Sequence, residues 1–184
     1  MSLLSIPSSM KIPKTFPQFT QITALFVTTG KQGAVFYVAT NGFIDSVGSF
    51  DIPVPHYSDH EGKFARRGRG LSLSSGGVYE PDKAGHIKEF LRALATHVKQ
   101  LVGKYAVTAT YLYAPQYLMK QVKEALHDTI EKSYVMSFQG NYHEAHPTVL
   151  LEMVAKRKER RADRRLVVPT KGEAVKLLSR KNNK

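Results

Sequence analysis

The chain has 184 residues and 20.6 kDa, a size for one domain with extensions, and 42% of it is hydrophobic, which excludes a wholly disordered protein. It contains no cysteine, so a disulfide framework, a thiolate metal site and a cysteine nucleophile are all excluded. The net charge is +12, and it is unevenly placed: residues 156–184 carry 12 basic and 3 acidic residues, which leaves the preceding part nearly balanced.

Residues 1–18 are rich in Ser and Pro and read as a flexible N-terminal arm. They have neither the basic start nor the apolar stretch of a secretory leader, so the expected address is cytoplasmic. No apolar run reaches the roughly 20 residues that a membrane span needs, and no membrane partner is expected.

Residues 22–28 read as a buried strand, and the turn residues Gly30 and Gly33 lead to a second strand at 34–39. Asn41 and Gly42 mark another turn, and residues 43–50 read as a third antiparallel strand. From 51 to 85 no period survives, because Pro53, Pro55, Gly62, Gly68, Gly70, Gly76, Gly77 and Pro81 interrupt it. A loop of this length inside a domain is functional or disordered.

Helical spacing returns with Ile87, Phe90, Leu91, Leu94, Val98, Leu101 and Val102, with Asp82 as N-cap and Gly103 as the expected stop. A strand follows at 107–113, then a helix opened by Pro115 with Leu118, Val122, Ala125, Leu126 and Ile130 on one face. Residues 134–138 read as a short strand. Pro147 opens a third helix, with Val149, Leu150, Met153 and Val154 inward, which runs into the basic stretch; 173–179 could form a last short helix. The fold class read from this order is α/β, a mixed sheet with helices on its faces. The division is an arm at 1–18, an α/β domain at 19–155 with its long basic loop at 51–85, and a basic extension at 156–184. Residues 166–184 lack an apolar face for docking.

Two basic clusters are the candidate binding residues. The first lies in the loop: Lys63, Arg66, Arg67 and Arg69, interleaved with Gly68 and Gly70 and followed by Gly76 and Gly77. Glycine lets the main chain approach a phosphate backbone while arginine lies flat along it. Ser72, Ser74 and Ser75 add hydroxyls for phosphate oxygens. The second is Lys156, Arg157, Lys158, Arg160, Arg161, Arg164 and Arg165, dense enough to attract a polyanion by releasing its counterions. The plain alternatives are a solvated, solubilising tail and a surface loop with incidental charge.

Other constellations carry less. His56, Asp59, His60 and Glu61 have metal-ligand chemistry, but Pro53 and Pro55 exclude a regular helix that would set their spacing. His143, Glu144 and His146 precede Pro147 and fit a helix start better than a ligand set, so no metal or other cofactor is expected. Nuclease chemistry needs carboxylates converging on metal ions, and of Asp45, Asp51, Glu80 and Asp82 only Asp45 lies in an expected strand. Neither a Walker A motif nor a dinucleotide fingerprint nor a Gly-x-Ser-x-Gly elbow is present, although a serine paired with His56 or His86 is left open. Tyr111 and Tyr113 share one strand face, which reads as packing beneath a helix rather than as a platform for bases.

The hairpin, the element Ser74-Ser75-Gly76-Gly77, the segment with Asp82 and His86, the strand ending in Ala114-Pro115 and the helix opening with Tyr117-Leu118 resemble a bacterial family. It is the host attachment protein family, bacterial relatives of the archaeal and eukaryotic peptide-release factors. The resemblance runs from about residue 20 to 154. It implies a ribonuclease H-like three-layer architecture, similar to the middle domain of those release factors. That domain presents a Gly-Gly-Gln loop to the peptidyl-tRNA ester. Here Gly76-Gly77 is followed by Val78, and the Arg66 to Gly70 segment offers no Gln either. The resemblance therefore implies a release- or rescue-related unit that binds RNA or a ribosome without catalysis and without catalytic residues. The alternatives are a hydrolase acting on peptidyl-tRNA or RNA, through Asp45, Asp82 or His86, and a protein-interaction module.

Overall fold

The computed structural model describes residues 9–53 and 83–166. Its strands are β1 (Ser9–Lys11), β2 (Ala24–Thr29), β3 (Gly33–Thr40), β4 (Phe43–Asp51), β5 (Ala109–Ala114) and β6 (Tyr134–Gln139). Its helices are α1 (Lys83–Tyr105), α2 (Gln116–Ile130) and α3 (Pro147–Leu166). The six strands form one sheet in the order β1-β4-β3-β2-β5-β6. β2, β3 and β4 pair antiparallel as successive hairpins, and β5 joins β2 in parallel with β6 beyond it. This is the mixed α/β sheet read from the sequence, and its order is consistent with a ribonuclease H-like architecture.

The two-residue alternation of the strands divides the core. Leu25, Val27, Phe36 and Leu112 pack with Phe90, Leu94 and Val98 of α1 and Leu118, Val122 and Leu126 of α2. Ala24, Phe26, Tyr111 and Tyr113 face the other way and pack with Leu150, Leu151 and Val154 of α3. β2 and β5 are buried along their whole length because both faces are covered, which explains their continuous rather than alternating apolar character.

Two local expectations fail for identifiable reasons. Residues 9–18 do not behave as an arm: β1 pairs with β4, and Ile12 is 1% exposed within the α3-side core. Backbone bonds from Ile12 N–H to the Gly42 carbonyl and from Gly42 N–H to the Gln18 carbonyl, each 2.7 Å, fix this segment on the β3–β4 turn. A three-residue strand is too short to leave a period in the sequence. The second is the end of α1, which passes through Gly103 and stops at Tyr105. Ala106 takes the left-handed conformation, φ 47°, and Val107 N–H bonds back to the Val102 carbonyl at 3.4 Å. That is a Schellman-type ending, built on alanine where glycine is usual. Among the described residues, no helix is long and apolar enough to cross a membrane.

Candidate nucleic-acid interface

Pro147 suits the first position of α3, because its missing N–H has no partner there in any helix. Leu150, Leu151 and Val154 are fully buried and recur at helical spacing, so this face holds α3 to the sheet. Continuing the same spacing gives Lys158 and Arg161, basic where the stripe would have been apolar. Residues 156–162 are exposed at every position, so nearly two turns of helix bury no residue. The part of α3 from 156 to 166 is about 16 Å long. Arg164 and Arg165 lie in its last turn.

The basic residues divide by what they touch. Arg157 Nη1 donates to the Ser137 carbonyl at 2.6 Å, and its guanidinium lies 4.7 Å from the centre of the Phe138 ring. Gly140 N–H bonds to Ala114 of β5, so by alternation the Ser137 carbonyl faces the open edge of β6. Arg157 therefore supplies a donor to an edge strand and places charge beside it. Lys156 pairs with Glu152 one turn earlier at 2.5 Å. Lys158 Nζ stands 5.7 Å from the Phe19 ring, which packs edge-on against Phe26 and Tyr111. Among the described residues, Arg160 and Arg161 have neither an ion pair nor a hydrogen bond and project free charge.

The anchor points of the two predicted clusters lie at opposite edges of the sheet. β2, β4, β5 and β6 share one direction, and their C-terminal ends, Thr29, Asp51, Ala114 and Gln139, form one edge. Pro53 leaves from that edge, and α1 begins there to run back to the start of β5. Lys63, Arg66, Arg67, Gly68, Arg69, Gly70, Gly76 and Gly77 lie outside the described residues. α3 starts at the same edge, where Tyr113 donates its hydroxyl to the Leu150 carbonyl at 2.9 Å, and ends towards the opposite one, where Lys158 meets Phe19. A six-residue strand separates these edges by roughly 20 Å.

That second edge contains a residue the sequence reading missed. Lys14 is exposed on the turn after Ile12, closed by Phe16 N–H to the Pro13 carbonyl at 3.0 Å and by Gln18 Nε2 to Pro13 and Phe16 carbonyls at 2.8 and 2.9 Å. The spacing of Ile12, Phe16 and Phe19 between prolines is the only signal that this turn would dock.

The remaining candidates take other roles. Tyr111 and Tyr113 are core residues, as their shared face predicts, and burial raises both phenols, Tyr113 the more strongly. At the loop-bearing edge, Gly30, Lys31, Asn141, His143, Glu144 and Ala145 line an open cleft of about 340 Å³. His143 Nε2 is 3.6 Å from Asp51 Oδ1, beyond hydrogen-bond length, and has no hydrogen-bond partner. A Cβ on Gly33 would lie 1.8 Å from Asp51 Oδ1 and 2.6 Å from that nitrogen, and one on Gly30 2.9 Å from the His143 ring, so both glycines make room for this pair. Asp45 lies in β4 with Oδ1 buried and unpartnered, in register with Val38 on the α1–α2 side. Among the described residues no group of His, Asp and Glu could hold a metal. His56, Asp59, His60, Glu61, Glu80 and Asp82 lie outside the described residues.

No protein-family model matches the chain, and no curated protein does. A solved structure titled "Archaeal protein" is similar to it at 10% identity and a TM-score of 0.40, over 85% of this chain and 45% of that one. The chain thus spans less than half the length of that protein.

Proposed function

We propose that this protein binds RNA or a ribosome without catalysis, as a cytoplasmic relative of translation release and rescue factors. The observation that carries the reading is the second half of α3. A helix that ends its apolar stripe at Val154 and continues with Arg160 and Arg161 exposed and unpaired is suited to a polyanion. Phosphate contacts of this kind give affinity and orientation rather than sequence preference. Arg157 is a residue of the fold in this reading, and Arg160, Arg161, Arg164 and Arg165 are the contacts. Lys63, Arg66, Arg67 and Arg69 would add further contacts.

Gradient co-sedimentation with ribosomes and their subunits, at low and near-physiological salt, tests the reading. The full chain is expected to travel with a particle and to be released as salt rises, and the Arg160→Gln/Arg161→Gln variant is expected to stay at the top. Absence of the full chain from every particle at both salts would contradict ribosome binding.

A further inference from the structure

We infer that the edge formed by the second half of α3 and the Lys14 turn is a docking surface for double-stranded rather than single-stranded RNA. The inference rests on the RNA-binding reading above and specifies the partner of that same site. Proteins that hold single strands combine a basic groove with exposed aromatic rings on which unstacked bases lie. Among the described residues, the α3 side of this edge has the charge without the rings. Phe19 is 5% exposed and is overlaid by Lys158, and Phe16 and Tyr142 are half-buried against the core. Residues 156–166 contain no aromatic side chain.

The exposed aromatics near this edge face the other way. Phe43 is 47% exposed, but its neighbour Ile44 packs in the α3-side core, so alternation turns Phe43 to the α1–α2 side. Tyr134 lies with Lys123 of α2 at 5.6 Å from its ring centre, and its hydroxyl bonds to Ser137 Oγ at 3.1 Å. Phe43 by alternation and Tyr134 by its Lys123 contact are thus both directed to the α1–α2 side.

What remains is a rod about 10–12 Å across, convex, charged along its length and bracketed to the sheet edge by Arg157. A convex rigid helix cannot enclose splayed bases. It does match a phosphate array whose spacing is already fixed, and duplex RNA is recognised largely through shape, phosphates and 2′-hydroxyls. Lys14 extends the array beyond α3, since its turn is tied at both ends to the β3–β4 turn and adjoins Phe19 beneath Lys158.

The test is fluorescence anisotropy of the full chain with a short labelled RNA duplex and with a non-complementary single strand of equal length, at about 150 mM salt. The duplex is expected to bind at least about tenfold more tightly. Arg160→Gln/Arg161→Gln is expected to weaken duplex binding about tenfold and Lys14→Gln about threefold, with melting temperatures unchanged. Equal or tighter binding of the single strand would overturn the inference and leave RNA binding standing. Duplex binding unaffected by either variant would place the contact elsewhere on the chain. Failure to bind either RNA would remove the underlying reading as well.

Discussion

Arg157 has the same charge as its neighbours but a different task. Replacing it with alanine removes the bond to Ser137 and the contact with the Phe138 ring. The expected loss is about 1 kcal/mol, readable by urea unfolding. Arg157→Lys keeps the charge but not the planar contact, and is expected to lose most of the same stability. Ala106 is a second residue whose role its identity conceals. Ala106→Gly relieves a left-handed alanine and is expected to stabilise the protein by about 0.5 kcal/mol, after the entropic cost of glycine in the unfolded chain. Tyr113, with Tyr37 and Tyr111 raised in the same direction, contributes to an alkaline pH dependence. Its phenol is fully buried and held protonated in the fold, whereas in the unfolded chain it ionises near its ordinary value of 10.0. The unfolded state then binds fewer protons, so stability is full below about pH 10 and falls above it, by up to about 1.4 kcal/mol per pH unit for one such group. Unfolding measured across that range should show a falling stability, and Tyr113→Phe should make the fall shallower.

At the scale of elements, α3 joins two functions along one helix. Leu150 is fully buried in its first half, and Leu150→Ala is expected to cost about 2–5 kcal/mol, as a core truncation does. Arg160→Gln/Arg161→Gln alters only uncovered positions and is expected to leave stability within about 0.5 kcal/mol. The passage from apolar to basic was visible in the sequence, but the sequence reading puts Val149, Leu150, Met153 and Val154 inward, whereas the structure buries Leu150, Leu151 and Val154 and leaves Val149 40% exposed. The hairpins and the two βα units were equally visible through their strong periods. What escaped was held by contacts rather than by pattern. β1 has three residues and docks through pairing with β4 and through Ile12, so a Ser- and Pro-rich composition concealed it. Lys14 follows from that same docking. The end of α1 was set by Ala106 and not by Gly103, because the left-handed turn falls where β5 needs to begin. The binding residues of α3 were legible as charge, but their separation into Arg157 on the fold and Arg160 and Arg161 in solvent depends on where β6 ends laterally.

For the whole molecule, the sheet is a spacer between two edges. Pro53 leaves from and α1 begins at the edge at which the parallel strands end, and the charged half of α3 lies towards the other. The central claim is that the partner is a polyanion held electrostatically by the uncovered half of α3. The most direct test is the slope of log affinity against log salt for RNA, measured on the full chain and on Arg160→Gln/Arg161→Gln. The expected result is a steep negative slope that becomes shallower by about two in the variant, one for each phosphate contact removed. An affinity indifferent to salt, or one slope shared by both proteins, would contradict it.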